Sequence, residues 1–136
     1  PSLAARGITT VHVAIGNNRV RERLMVQARA AGLTCATVVH PRACVSPSAS
    51  LGEGCAVMAL AIVGTEATLG QGVIVNVGAV VDHHARVADH GHLGANAAMA
   101  GGTTLGARGW LQAGASLGYG VNLPDDAVVM PGEGRA

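Results

Sequence analysis

Four of the chain's six histidines, His83, His84, His90 and His92, fall within ten residues, and Asn76, Asp82 and Asp89 stand among them. An unperturbed imidazole has a pKa near ~6.5, so it exchanges a proton close to neutrality and suits the role of base toward an attacking amine or hydroxyl. The surrounding sequence is mostly Ala, Gly, Ser and Thr. A cluster this dense against so bland a background is either a site of chemistry or a set of solvated residues at turns. The three cysteines, Cys35, Cys44 and Cys55, contain no C-x-x-C pair. They read as reduced and structural, as expected of a cytosolic protein.

A repeat must position these groups. Sixteen aliphatic residues stand at an unbroken spacing of six, from Val39, Val45 and Leu51 through Val75, Val81, Val87 and Leu93 to Leu123 and Val129. About a quarter of the chain is Val, Ile, Leu or Met, so sixteen hits in one register arise by chance roughly once in a billion. Four places after each of the first fifteen comes a small or β-branched residue, such as Ala43, Cys55, Ala79 or Ala115. A period of six predicts a β-solenoid in which three hexads make one triangular turn of eighteen residues. About five coils, stacked at ~4.8 Å, give a prism roughly 24 Å long. Gly follows the aliphatic residue at Gly52, Gly64, Gly70, Gly94, Gly106 and Gly118; the expectation is that these corners need positive φ. At the C-terminus Glu133 enters a small-residue slot and Pro131 is expected to break the ladder.

An eighteen-residue turn stacks residues eighteen apart. His83 then lies above Thr65 and below Gly101 and Tyr119, His92 below Trp110, and Asn76 below Gly94. Gly101 and Gly102 clear the space over His83, and Ala95 and Ala113 form a second stripped column. An imidazole beside a side-chain-free groove with bare backbone N–H groups suits a long flexible ligand. Corner geometry alone is the competing explanation for the glycines.

Residues 1–38 do not follow the hexad. Val11 to Ile15 reads as a strand ending at Gly16. Asn18 to Ala31 reads as a helix with Val20, Leu24, Val26, Ala28 and Ala31 at apolar spacing, arginines over much of the rest, and Gly32 closing it. Thr34 to Val39 is β-prone. The segment reads as the tail of a Rossmann-like βαβ unit whose first strand and Gly-rich turn are missing. The expected organisation is this fragment over 1–38, a β-helix over 39–130 and a tail over 131–136. Trp110 and Tyr119 are the only rings besides histidine, which a narrow prism filled by Val, Leu, Ile and Ala tolerates. Nine arginines, no lysine and eight acidic residues leave a net charge of +1 with no basic cluster, which disfavours nucleic acid and anionic membrane as partners. The apolar runs are too short to span a bilayer.

Together the hexad, the βαβ fragment and the cluster resemble the left-handed β-helix acetyltransferases that modify nucleotide sugars. The resemblance is strongest to the family of bacillosamine-pathway and perosamine N-acetyltransferases and sialic acid O-acetyltransferases. It is carried by Ala14-Ile15-Gly16-Asn17-Asn18-x-x-Arg21, His40-Pro41-x-Ala43, Ser46-Pro47-x-Ala49, Asn76-x-Gly78-Ala79-x-Val81-Asp82-His83, Val87-x-Asp89-x-x-His92-Leu93 and Ala100-Gly101-Gly102. The resemblance implies a left-handed coil, a homotrimer, acetyl-CoA bound between neighbouring subunits and a nucleotide sugar held by the N-terminal unit. It implies His83 as general base, His92, Gly101, Gly102 and Ala113 at acetyl-CoA, and Asn76, Gly16 and Asn17 at the acceptor, with no metal. The family commonly has an acidic residue directly after the base, where this chain has His84. His84 therefore joins the catalytic set, with Asp82, Asp89 or a neighbouring subunit's carboxylate as substitutes for the acid. No Cys or Ser forms a nucleophile arrangement beside His83, which favours direct transfer over an acyl-enzyme.

Two other classes are compatible with a hexapeptide coil. A γ-type carbonic anhydrase would need three histidine ligands, one of them two coils after another. Two coils from His40 falls on Asn76 and two from His83 falls on Tyr119. A non-catalytic scaffold or binding module would need none of the clustered histidines.

Overall fold

Each aliphatic residue of the hexad ends a two-residue strand, from Val38–Val39 and Cys44–Val45 to Val128–Val129. A computed structural model describes residues 2–136 and stacks these sixteen strands, with Gly134–Arg135 as a seventeenth, into three parallel sheets of six, five and six. The first face carries Ile74–Val75, His92–Leu93 and Trp110–Leu111, the second Val80–Val81 and Ala98–Met99, the third Arg86–Val87 and Thr104–Leu105. Pairing is in register at eighteen residues throughout: Val57 with Val75, Leu93 with Leu111, Met99 with Leu117. The N–H groups on either side of each aliphatic residue donate to carbonyls of the next coil, as from Ala56 to Val73 and Met58 to Val75, both 2.9 Å. The β-solenoid of about five coils expected from the hexad is the observed fold.

The interior is filled as the repeat requires. Val57, Val63, Val75, Val81, Leu93, Met99, Leu105 and Leu111 point inward and are buried, with Ala61, Ala79, Ala85, Ala97 and Ala115 at the small slots. Cys55 shares one of these slots, and burial pushes its thiol up to about 11. Trp110 and Tyr119 both lie on the outside.

The glycine expectation is corrected by the corners themselves. Positive φ falls two places later in the hexad than expected, at every sixth residue from Gly54 to Gly132. Half of these positions are not glycine: Leu60, Glu66, His84, His90, Asn96, Arg108 and Asp126 have φ of 55–61°. Left-handed backbone costs a residue with Cβ about 1–2 kcal/mol. It is compensated by an N–H that donates to the coil below, as from His84 to the Thr65 carbonyl (2.8 Å) and from Asn96 to that of Val77 (2.9 Å). The glycines directly after the aliphatic residue serve close approach instead. A Cβ on Gly64 would lie 2.8 Å from the His83 nitrogen, and one on Gly94 would lie 2.8 Å from that of Ala113.

Nor does the ladder stop at Pro131, because Gly134–Arg135 pairs with Ser116–Leu117. The N–H two places after each aliphatic residue takes no part in the ladder, as the bonds on either side of it show. Pro41, Pro47 and Pro131 all occupy that position, so their missing donor removes nothing.

Ahead of the coil, β1 (Thr10–Val11) and β2 (Thr34–Cys35) pair in parallel on either side of α1 (Asn18–Ala30). Asn17 caps the helix, its Oδ1 accepting from the Val20 N–H (3.1 Å), and Gly32 follows it with φ 76°. The expected apolar face packs only in part, with Val20, Leu24 and Ala28 half-buried. Arg21 and Met25 are buried, while Val26 is exposed. Met25 lies against Gly54 and Gly72, two bare left-handed positions stacked on one corner. No helix is long and apolar enough to cross a membrane among the described residues.

The two glycine roles make opposite predictions. Gly64→Ala should cost about 1–3 kcal/mol through overpacking against backbone. Leu60→Gly, at an exposed left-handed site, should be neutral or stabilising by up to about 1 kcal/mol. Urea unfolding midpoints of the two variants check this, and a reversed order would contradict it.

Candidate functional site

The solenoid distributes the histidine cluster over two regions. His83 and His84 stand exposed at the corner between the second and third faces, His90 lies buried at the corner between the third and first, and His92 lies buried on the first face. The N-terminal segment packs over the last two.

Arg21 makes that contact. Its guanidinium, 1 % exposed, donates to the carbonyls of Gly72 (2.7 Å), Ile15 (2.9 Å) and His90 (2.6 Å), and to Asn18 Oδ1 (2.8 Å). No carboxylate faces it, and burial lowers its pKa to about 10. Asn18 ties the helix start to the solenoid through the Arg108 carbonyl (2.9 Å), and Arg108 pairs in bidentate fashion with Asp126, both contacts 2.9 Å. That pairing holds the Asp126 carboxyl below its ordinary range.

His92 Nδ1 lies 3.2 Å from the Gly16 carbonyl, which requires a proton on that nitrogen and leaves Nε2 an acceptor. Nε2 is buried without a protein partner. The ring stacks on Trp110, centroids 5.9 Å apart and planes at 18°, as the eighteen-residue column implied. Two clefts open on either side of the Gly16–His92 contact. One, of about 620 Å³, is bounded by Asn17, Arg19, Trp110 and Asp126. The other, of about 360 Å³, is bounded by Ile15, Met58, Ile74 and Asn76. Gly16, Asn17, Asn76 and His92, expected near ligands, are thus brought together. Asn17 also serves as helix cap, and Asn76 Oδ1 accepts the Val77 N–H (2.8 Å).

His83, His84, Asp82, Gly101, Gly102 and Ala113 line neither cleft. His83 and Gly101 do meet as expected: a Cβ on Gly101 would strike the imidazole ring, so the glycine is what seats it. Gly102, with φ 69°, faces open space. Ala113 lies exposed at the corner between the first and second faces, apart from His83 within one chain. The stand-ins considered for the missing acid are engaged elsewhere. Asp82 Oδ1 accepts the His83 backbone N–H (2.7 Å), and Asp89 accepts from the Gln71 N–H (3.0 Å) and side-chain amide (3.1 Å). The carboxylate that does reach the pair is Glu66. Its Oε2 lies 2.9 Å from His84 Nε2, while His84 Nδ1 lies 3.0 Å from His83 Nδ1. Glu66 stands eighteen residues before His84, so the column arithmetic contained it; Arg21 stood in the motif that carries the resemblance, but on a helix rich in arginines nothing marked it for burial. Among the described residues no three His, Cys, Asp or Glu side chains are grouped so as to hold a metal ion.

Burial, and then the charge of Arg21, hold the His92 imidazole below its ordinary pKa; burial does the same to His90. The unfolded chain therefore binds protons below about pH 6.5 that the folded chain refuses. Stability should fall as pH is lowered through that value and level off only below the depressed folded pKa values. Urea midpoints between about pH 7.5 and 5 check this. The double variant His90→Gln/His92→Gln should flatten the slope, and an unchanged slope would contradict the assignment.

No protein-family model and no curated protein sequence matches the chain. Solved structures do. PerB from Caulobacter crescentus, in complex with CoA and GDP-perosamine, is 40 % identical at a TM-score of 0.90, the match covering 98 % of this chain and 68 % of that one. A histidine-to-asparagine variant of perosamine N-acetyltransferase from the same organism, with the same ligands, matches at 40 % identity and a TM-score of 0.97, covering 98 % of this chain and 64 % of that one. The acetyltransferase domain of PglB from Neisseria gonorrhoeae FA1090, in complex with acetyl coenzyme A, is 34 % identical at a TM-score of 0.74, covering 88 % and 66 %. The chain thus spans about two thirds of the length of these relatives. Identity at this level over nearly the whole chain, on the same coil, places it in the perosamine N-acetyltransferase family of β-helix sugar acetyltransferases.

Proposed function

We propose that the chain transfers the acetyl group of acetyl-CoA to an amine of a nucleotide-linked sugar, with His83 as general base. The observation that carries this reading is the seating of the His83 ring on the bare Gly101 backbone, at an open corner of the solenoid. The amine attacks the thioester carbonyl, His83 accepts the proton the amine sheds, and that proton leaves on the CoA sulfur as the C–S bond breaks. The transfer is direct, since no Cys or Ser stands beside His83 as a nucleophile. Negative charge gathering on the carbonyl oxygen calls for fixed donors, and the Gly101 N–H, outside the ladder and beside the His83 ring, is of that kind. The ligands named for the relatives, CoA, acetyl-CoA and GDP-perosamine, support both substrate classes.

His83, Gly101, Gly102 and Ala113 lie away from the clefts around His92. This favours a homotrimer in which the acetyl-CoA groove forms between neighbouring copies, bringing one copy's His83 toward another copy's Ala113. In this reading residues 1–38 are part of a Rossmann-like nucleotide-sugar unit, 39–130 a left-handed acyltransferase coil that 131–136 extend, and the protein works in the cytoplasm. Gly16, Asn17 and Asn76 line the acceptor side, and His92 the acetyl-CoA side.

The test is thiol release from acetyl-CoA against a panel of GDP- and UDP-linked aminosugars. His83→Ala should lower turnover by about 10²- to 10⁴-fold with CoA affinity nearly unchanged. Equal turnover in the variant would remove His83 from the role. Acetyl-CoA binding without turnover on any sugar would favour a binding module.

A further inference from the structure

The contacts among Glu66, His84 and His83 fix where protons sit, and this determines which nitrogen of His83 is free. Glu66 Oε2 can only accept, so the 2.9 Å contact requires a proton on His84 Nε2. A neutral imidazole carries one N–H, so His84 Nδ1 is then a bare acceptor. It faces His83 Nδ1 at 3.0 Å, which must donate. The His83 proton is thereby placed on Nδ1, and its Nε2 lone pair, on the ring edge that faces Gly101, is left free. Without this chain of contacts an imidazole in water prefers the opposite tautomer, with Nε2 blocked by hydrogen.

We infer that Glu66 is a positioning residue which, through His84, holds His83 in the tautomer that presents Nε2 as the base. The acid that the family resemblance places directly after the base is here displaced by one coil, and His84 spans the gap. When Nε2 takes a proton, the Nδ1 proton can pass to His84 Nδ1. His84 then carries the positive charge against the Glu66 carboxylate, and His83 returns to neutrality with its new proton on Nε2. No proton is gained or lost in the relay. Both side chains stand more than half exposed, so the pair matters for where it directs protons and not for stability. Glu66 and His84 stack in one column of left-handed corner positions, with φ of 55° and 57°, which brings their side chains together. The Glu66 N–H is held by Ser48 Oγ (3.1 Å), one coil further down. The two rings meet edge to face, centroids 5.3 Å apart at 84°. Asp82, the other carboxylate at this corner, is held on the His83 N–H and does not compete.

The catalytic consequence rests on the proposed acetyl transfer; the tautomer does not, and the experiment separates them. Long-range nitrogen–proton spectra of the ¹⁵N-labelled chain above neutral pH should show His83 protonated on Nδ1 and His84 on Nε2. Glu66→Gly, which suits the positive φ and leaves the corner folded, should return His83 to the Nε2–H form. It should also lower turnover by about ten- to a hundredfold with the KM for acetyl-CoA unchanged, the range for a group that orients another. Glu66→Gln, keeping size without charge, should lower turnover as well. Nε2–H on His83 in the unaltered chain, or tautomers unmoved in Glu66→Gly, would overturn the relay even if acetyl transfer proceeds. The expected tautomers without transfer to any sugar would uphold the relay and sink the proposed function.

Discussion

Parallel, in-register pairing at eighteen residues is the constraint on which the rest of the molecule hangs. Because each coil repeats the path of the one below, a side chain's nearest neighbours are those eighteen residues away, more than those beside it in the chain. The core follows from this, since a column of valines and leucines inside a narrow triangle leaves room for alanine opposite and for no ring. The chemistry follows as well. Glycine at 101 clears the space over His83, Trp110 forms a platform for His92, and glutamate at 66 reaches His84. A single residue inserted within a rung between any two of these would throw the columns above it out of register.

The second organising contact joins two unlike parts. Arg21 is a cation taken out of water with only carbonyl and amide oxygens for compensation, a combination tolerated because several of its donors are used. Its partners belong to the Gly16 turn, to the helix start and to two coils of the solenoid, so it holds the three in one arrangement. The same arrangement aims the Gly16 carbonyl at His92 and leaves that ring neutral, with a free acceptor between two clefts. The N-terminal segment thus shapes the two clefts around His92, while the His83 corner is set by the coil alone.

Spacing made the coil readable, because an aliphatic residue every sixth position admits one period and that period one stacking. The columns drawn from it placed His83 under Gly101 and His92 under Trp110 correctly. What spacing could not show was which atom does the work at a corner. The glycines after the aliphatic residues are required by backbone crowding, and the left-handed turn lies further on, where histidine, leucine or aspartate is accepted because its N–H is bonded below. Arg21 and Met25 were hidden for a different reason. Amphipathic counting assigns arginine to the solvent face, and only the assembled fold reveals a ring of carbonyls waiting for a cation. Asp82 beside His83 was the obvious carboxylate in sequence, yet a short side chain next to a turn bonds its own backbone first.

The amide left outside the ladder in every hexad has a bearing on how such a coil diversifies. At that one position the chain owes no backbone bond to the coil above or below, and proline is already accepted there three times. Lengthening the chain at this point would push a loop outward from the edge of the prism without unpicking the rungs on either side. New ligand contacts can therefore be grafted along an edge while the interior is left as it was. A repeating scaffold of this kind offers its lineage one hinge for novelty per six residues, and each can be explored independently of the others.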